Sequence, residues 1–472
     1  MILHRRLQRS FADGLIAEEV QDLWEPWMRH ADEVLDDEVL LNLVQEELSK
    51  RIQKSKTRGR PGTTAEVVLR MLLLKHMRNW SFAELTREVR ANLVYREFTR
   101  IGGGRAPDDK TLGRLARQLG PERIAEIHQR VVTIAQDKQV VTGRKMRVDT
   151  TVVETNIHYP TDSSLLGDGV RVLTRTMKKV TAVAGAVGTQ LRDRTRSVGR
   201  RLREIGRASR SRGQQANEKL QQGYGKLLDA TSRVVAQAER FSEEIAAGVK
   251  RSAGVFEQAA LEGLRKELDT MVPRVRQVIR QTRQRIFQGI TDSADKIVSI
   301  FEPDTEIIRK GKAGKPTEFG KLVKIQEAEN QIITSYEVYD QRPSDSHLLV
   351  PALEEHQRQL GRVPRTAAAD AGFYSARNEA AAQQMGVEQV AVPNWSTKSE
   401  ERKRHQKKRW FRNAQKWRTG GEGRISVLKR RHGLNRCRYK GQAGMKRWVG
   451  LGVIADTLIN LGRGLVARLV TG

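Results

Sequence analysis

The stretch GRKMRVDTTVVETNIHYPTD, residues 143–162, runs from charged residues into a β-branched segment with one acid, Asp149, near its start. Residues of this kind at this density read as a strand. The strand separates two parts of the chain with different textures. A carboxylate inside a half-buried strand needs a reason, because burying it unpaired is expensive. Asp149 therefore either faces water on an edge strand or holds a cation. Glu154 points to the opposite face of the strand and is the weaker candidate.

N-terminal to that strand, residues 1–140 read as all-helical. The segment KTRGRPGTT breaks the pattern at Gly59, Pro61 and Gly62, and Thr63 or Thr64 can cap the helix AEVVLRMLLLKHMRN. Ser81 can cap FAELTREVRANLVYREFTRI, read as one helix, and Pro121 stands where a first-turn proline belongs. Short helices with tight turns and scattered basic residues suit a helix-turn-helix-like DNA-binding module, and equally a bundle with a solvated basic face.

On the C-terminal side the texture changes twice. Between Pro160 and Pro273 there is no proline, and Ala, Gln, Arg and Glu dominate, as in long helices packed as hairpins. Within it LRDRTRSVGRRLREIGRASRSR carries nine arginines against two acids, which suits a solvated face or phosphate contact. From residue 301 the pattern reverts to mixed α/β. KLVKIQEAENQIITSYEVYD reads as a hairpin turning near Glu327 to Asn330, and a helix capped by Ser344 or Asp345 follows. After TAAAD come a glycine turn, a helix and the strand VEQVAVP. The expected organisation is a helical N-terminal domain (1–140), a first part of an α/β core (141–169), a helical insertion (170–300) and the rest of the core with a basic C-terminal region (301–472).

The 472 residues include 86 Lys and Arg against 56 Asp and Glu, a formal net charge of +30. Such an excess predicts attraction to polyanions, nucleic acid first. The single Cys437 excludes an internal disulfide and a multi-cysteine zinc site. No signal peptide is expected. The apolar stretch WVGLGVIADTLINLGRGLVARLV is interrupted by Asp456, Asn460, Arg463 and Arg468, so it reads as an amphipathic closing helix rather than a membrane span. The expected setting is cytoplasmic, beside the nucleoid, with no membrane partner.

Three acids stand out. Asp370 ends TAAAD and has small neighbours, placing it where α/β sheets collect functional groups; a turn or capping role is the plainer reading. Glu422 is nearly alone, since residues 398–447 hold 19 Lys and Arg against Glu400, Glu401 and Glu422. With a helix expected to begin after Gly420 and Gly421, Glu422, Ser426 and Lys429 share one face; an acid there could also simply complement the helix dipole. Asp149, Asp370 and Glu422 together could hold two Mg²⁺ ions for an in-line displacement at phosphorus. Asp340 is a lesser rival, His158 an ordinary loop histidine, and Asp162 and Asp168 read as turn residues. Trp395, Trp410 and Trp417 could stack on unpaired bases or cover the sheet edge.

MRVDTTVVETNIHYPTDSSLL, AAADAGFY and EGRISVLKRRHGLNRCRYKG together resemble the DDE transposases of bacterial insertion sequences, in particular the ISNCY-like group. The N-terminal GRPGTTAEVVLRMLLLKHMRNWSFAELTREVRANLVYREFTRI is similar to the helical domain that precedes their catalytic core. The resemblance covers most of the chain outside about 170–300. It implies an RNase H-like core with Asp149, Asp370 and Glu422 as the metal-binding triad for two Mg²⁺ ions, Mn²⁺ being able to substitute. Lys429 and Arg418 match the family's basic positions, whereas Gln415 stands where a tyrosine is expected. The implied partners are double-stranded DNA, both terminal inverted repeats and target, and a second copy of the chain in a dimeric or larger synaptic assembly. Arg418, Lys429, Arg430, Arg431, Arg436, Arg438 and Lys440 are the expected DNA contacts. Two rival readings are a catalytically inactive DNA-binding relative and a structure-selective nuclease on the same fold.

Overall fold

Strand β1 (Lys145–Glu154) forms where the β-branched run requires it. The computed structural model describes residues 3–5, 11–20, 22–50, 62–211, 213–291, 295–309 and 316–471. The expected break at Gly59 and Pro61 lies outside them. Five further strands follow β1: β2 (Glu306–Arg309), β3 (Thr317–Glu327), β4 (Ile333–Val338), β5 (Thr366–Ala368) and β6 (Gln389–Ala391). The sheet order is β2-β3-β1-β5-β6, with β4 also on β3. β3 runs antiparallel to β1 and β4, whereas β5 is parallel to β1 and β6. The expected β3–β4 hairpin is present, and Asn330 and Gln331 take positive φ in its turn.

Alternation along β1 gives the sheet two working faces. Met146 and Val148 pack with Leu349, Leu353 and Phe373. Val153 packs on the other side with Leu428, Leu434 and Trp448.

The N-terminal region is helical: α1 (Phe11–Glu19), α2 (Pro26–Leu35), α3 (Glu38–Ser49), α4 (Ala65–Met77), α5 (Phe82–Ala91), α6 (Leu93–Phe98), α7 (Asp109–Gln118) and α8 (Pro121–Asp137). Thr64 caps α4, Ser81 closes a capping box with Glu84 on α5, and Pro121 opens α8. The single helix expected over 82–101 is split. Asn92 is extended and its side chain accepts from Tyr95 N, starting α6 afresh. Between β1 and β2 come α9 (Asp162–Ala184), α10 (Thr195–Ala208), α11 (Gln214–Ala246) and α12 (Val255–Gln288). The remaining helices are α13 (Leu349–Leu360), α14 (Ala376–Gln384), α15 (Glu400–Lys407), α16 (Arg409–Arg431) and α17 (Gly441–Thr471).

Two compact units result, one of Met1–Asn156 with Ile308–Gly472, the other of Ile157–Ile307. In the first, α17 is a core helix. Leu451, Ile454, Leu458 and Leu461 share one apolar cluster with Trp27, Leu72 and Val131. By length and composition α17 could cross a membrane, but 72% of its apolar window is buried inside the protein. The amphipathic reading is therefore corrected. Asp456 is buried and takes Arg424 at 2.7 Å, His432 at 3.3 Å and the Asn460 amide at 3.0 Å, so two of the polar residues that seemed to interrupt the helix satisfy each other inside it.

The second unit is a four-helix body around Leu166, Leu173, Phe241, Leu268 and Val275. Asp162 and Asp168 lie in α9 rather than in turns. Asp162 pairs with Arg285 at 2.7 Å, and Asp168 with Arg171 at 2.6 Å and His158 at 3.6 Å. Arginines supplied by the helices make those buried acids tolerable.

Candidate active site

β1 is an interior strand, flanked by β3 and β5, so the wet-edge explanation of Asp149 fails. Arg147 and Ala368 are the last registered pair of the parallel ladder. Two residues further along each path come Asp149, still in β1, and Asp370, just past the end of β5. Asp149 Oδ1 accepts from Thr150 N at 2.7 Å. Asp370 leaves β5 for a 3₁₀ turn, Ala371–Phe373, and accepts from Gly372 N at 2.8 Å. The turn-forming role read for Asp370 is thus present, and it fixes the carboxylate at the strand end.

Glu422 is carried by α16. The helix was expected to begin after Gly420 and Gly421; it runs unbroken from Arg409 to Arg431, with Glu422 in its interior. The dipole explanation for that acid falls with the correction, since dipole effects are confined to the terminal turns. Gly420 has another cause. A Cβ on Gly420 would lie 2.7 Å from Arg147 Nη1, and one on Gly421 would lie 3.4 Å from Arg147 Cδ. The helix crosses directly over that side chain, tightly at Gly420 and with ordinary contact at Gly421.

Arg147 is the strut under the site. Its guanidinium donates to the Trp417 carbonyl and to Glu327, its cross-strand partner, and lies 4.7 Å from the Trp417 ring centroid. Burial pushes the Glu327 carboxyl up, against the downward pull of Arg147. Gln415 supplies a second tie by donating to the carbonyls of Ala369, at 3.1 Å, and of Ala391. The residue standing where a tyrosine was expected therefore fastens α16 to the strand end that bears Asp370.

Arg418 links the acids. Its guanidinium lies 2.9 Å from Glu422 Oε1 and 3.9 Å from Asp149 Oδ2. The Arg418 side chain is 16% exposed and Asp149 20%, whereas Glu422 at 57% remains open to solvent. Two carboxylates from separate elements thus flank one guanidinium. Among the described residues no group of three His, Cys, Asp or Glu could hold a metal ion by itself. Arg418 joins Asp149 and Glu422, and Asp370 stands apart at the turn that follows β5.

The other expected DNA contacts diverge. Arg436 pairs with Glu154 at 3.3 Å, beside the bridge that residue makes with the C-terminal half of β1. Arg438 lies 5.9 Å over the Trp448 ring. Arg430, Arg431 and Lys440 are exposed, while Lys429 is partly buried on the same helix as Glu422. Arg430 and Arg431 line a cavity of about 440 Å³ with Arg78 and Arg463. Trp410 and Trp417 pack on Phe411, Ala414 and the β5–β6 alanines, which leaves Trp395, 77% exposed, as the tryptophan able to meet a base.

Asp340 ties the end of β4 to α17, with Lys446 at 3.1 Å, and the Lys446 and Gln442 bonds hold its carboxyl below the usual range. Asp345, which was expected to cap a helix, instead accepts from the Thr150 hydroxyl at 3.1 Å. A Cβ on Gly372 would lie 3.1 Å from Asp370 and 3.4 Å from Asp345, so a fourth acid adjoins the site. Sequence reasoning missed Arg147, Glu327 and Asp345. Arg147, two residues before Asp149 and hence on the same strand face, carried the one available signal.

Two family models match the chain. A transposase domain (DUF772) covers residues 22–118, and a transposase DDE domain covers residues 377–463. The second includes Glu422 and all seven expected basic contacts; Asp149 and Asp370 lie outside both. No curated protein and no solved structure matches. Both matching families are transposases. These two matches support an insertion-sequence DDE transposase.

Proposed function

We propose that this transposase cuts DNA at the ends of its element and joins the freed ends to target DNA, with Asp149, Asp370 and Glu422 as the catalytic carboxylates. The observation that carries the reading is the meeting of Asp149 and Glu422 on Arg418, beside the strand end that bears Asp370. The mixture of antiparallel and parallel strands supports an RNase H-like core. DDE transposases generally use divalent metals, and the oxygen donors here suit two Mg²⁺ ions, or Mn²⁺ in their place. When bound, such ions supply charge stabilisation and activate the attacking oxygen.

The chain's own residues do the rest. Arg418 and Lys429, on the face of α16 that carries Glu422, hold the non-bridging oxygens of the scissile phosphate. Arg430, Arg431, Arg436, Arg438 and Lys440 fix the flanking backbone. In the first step a water oxygen bonds to phosphorus and the P–O3′ bond breaks, leaving a 3′-hydroxyl and a 5′-phosphate. In the second that 3′-oxygen attacks a target phosphodiester and displaces its 3′-oxygen. The N-terminal helices read the terminal repeats, and two copies pair the two ends.

The test is cleavage of a labelled duplex bearing the element's own terminal repeat, with Mg²⁺, followed by transfer to a target duplex. Cutting and joining by the wild type is expected. Cutting without joining would make the chain a nuclease, and binding with no cutting under any divalent ion would make it an inactive relative.

A further inference from the structure

Helix α10 carries arginines at 196, 200, 203 and 207, all exposed. The spacing of four, three and four residues places them in one stripe. At 1.5 Å per residue the stripe is about 16 Å long. Val198 and Ile205 hold the opposite face in the core of the inserted unit. Arg201 takes the helix's single acid, Glu204, at 2.8 Å. The side chains of Arg196, Arg203 and Arg207 have no ion pair or hydrogen bond among the described residues. Elsewhere in the unit cations meet acids: Arg171 with Asp168, Lys178 with Asp193, Arg276 with Glu239.

The stripe is self-repelling. Like charges three and four residues apart destabilise a helix. Arg196 also stands in the first turn, which holds no acid and where the helix dipole disfavours a cation. An external row of anions would relieve both terms.

We infer that this face of α10 is a sequence-independent contact surface for the phosphate backbone of duplex DNA. Over about 16 Å a DNA strand presents roughly five phosphates, at one per 3.4 Å of helix axis, enough to match four cations. A lipid surface fits less well, because membrane-lying helices bury an apolar face in the bilayer and that of α10 is already in the protein core. The inference rests on the transposase reading only for the choice of DNA as the polyanion.

The test uses the full chain in EDTA, so that binding is read without cleavage. Affinity for two unrelated 40-base-pair duplexes is measured against salt for wild type, for R196Q/R200Q/R203Q/R207Q and for the matching fourfold lysine variant. Each lost phosphate contact lowers the slope of log affinity against log salt by about 0.9. We expect the glutamine variant to lose about three to four units of slope equally on both duplexes, and the lysine variant to keep most of it. Unchanged slope in a folded glutamine variant, judged by circular dichroism, overturns the inference and leaves the transposase reading intact. Loss of binding to phosphatidylserine vesicles with DNA binding unchanged would reassign the face to membrane and overturn it equally. A fall in slope for the lysine variant matching that of the glutamine variant would also overturn it, since charge would then not be what matters.

Discussion

Helices α16 and α10 are both rich in arginine, and packing gives their charges opposite uses. In α16, Arg418 is held by Glu422 and Asp149, and Arg424 by Asp456 of α17. In α10, Arg201 takes the single acid, which also feels Arg200, and the side chains of Arg196, Arg203 and Arg207 have no ion pair among the described residues. Charge density alone forecasts attraction to a polyanion in both places. The acids that the fold delivers decide the rest: where they converge, a cation becomes part of a site, and where they are missing it remains a surface.

The sharpest way to break this comparison is to neutralise the α16 site. Asp149→Asn, Asp370→Asn and Glu422→Gln should each slow cleavage about a thousandfold, because metal-borne charge stabilisation is worth several kcal/mol. Affinity for duplex DNA in EDTA should stay within about twofold of wild type, since the cations are untouched. If the variants lose binding as fully as cleavage, the acids are structural and the two helices differ in nothing but burial.

Next in size is the strut. Arg147→Met leaves Glu327 buried without its partner, at a cost of about 3–5 kcal/mol in a denaturant titration. The sign with pH is also fixed. Burial already raises the Glu327 carboxyl above 4.5, and losing Arg147 removes the opposing pull. A folded-state carboxyl raised above its unfolded value contributes stability below that unfolded value, and loses it as pH rises through the folded value. The variant should therefore fall further behind wild type at pH 7 than at pH 4.5. A penalty independent of pH would mean that Arg147 acts by packing on Trp417 alone.

The strut also marks the limit of what the sequence discloses. The strand, the hairpin, the caps at Thr64 and Ser81 and the long inserted helices follow from local pattern and stand as expected. Gly420 and Gly421 did not read correctly. Paired glycines ordinarily end or start a helix, whereas these lie against a side chain arriving from a strand more than 270 residues away, tightly so at Gly420. Asn92 misled in the other direction, because a short polar side chain can restart a helix inside a run of good helix formers. Of the candidate site, the acids themselves were legible as isolated charges in improbable places. Of the residues that tie α16 to the sheet, only Arg147 left a trace, its place on the strand face of Asp149; the pairings of Glu327 and Gln415 are long-range and left none.

Glycines in α16 offer a finer comparison within one helix. Gly420→Ala should cost about 1–3 kcal/mol, the range for overpacking, because the guanidinium it would strike is anchored on Glu327 and the Trp417 carbonyl. Three residues on, nothing lies within 4 Å of a Cβ on Gly423, so Gly423→Ala should stabilise by up to about 1 kcal/mol. Thermal unfolding of the two variants side by side checks this. Equal effects would mean that α16 does not press on Arg147.

The smallest expected effect concerns Arg418 itself. In the metal-free chain its guanidinium balances Asp149 and Glu422, so a divalent cation binding those carboxylates competes with it. The Glu422 side is largely exposed, and exposed pairs are worth about 0.2–1 kcal/mol. Arg418→Gln should therefore tighten Mn²⁺ binding in the absence of DNA by up to about fivefold, read by the loss of the free-ion paramagnetic resonance signal on titration. The same variant should weaken DNA binding, because a phosphate contact is lost. These opposite signs separate a cation that guards a metal site from one that merely decorates a helix. An arginine of the α10 stripe, replaced in the same way, should weaken DNA binding and leave Mn²⁺ binding unmoved. If Arg418→Gln binds Mn²⁺ no better than wild type, Asp149 and Glu422 do not share a cation in solution, and α16 would then resemble α10 after all.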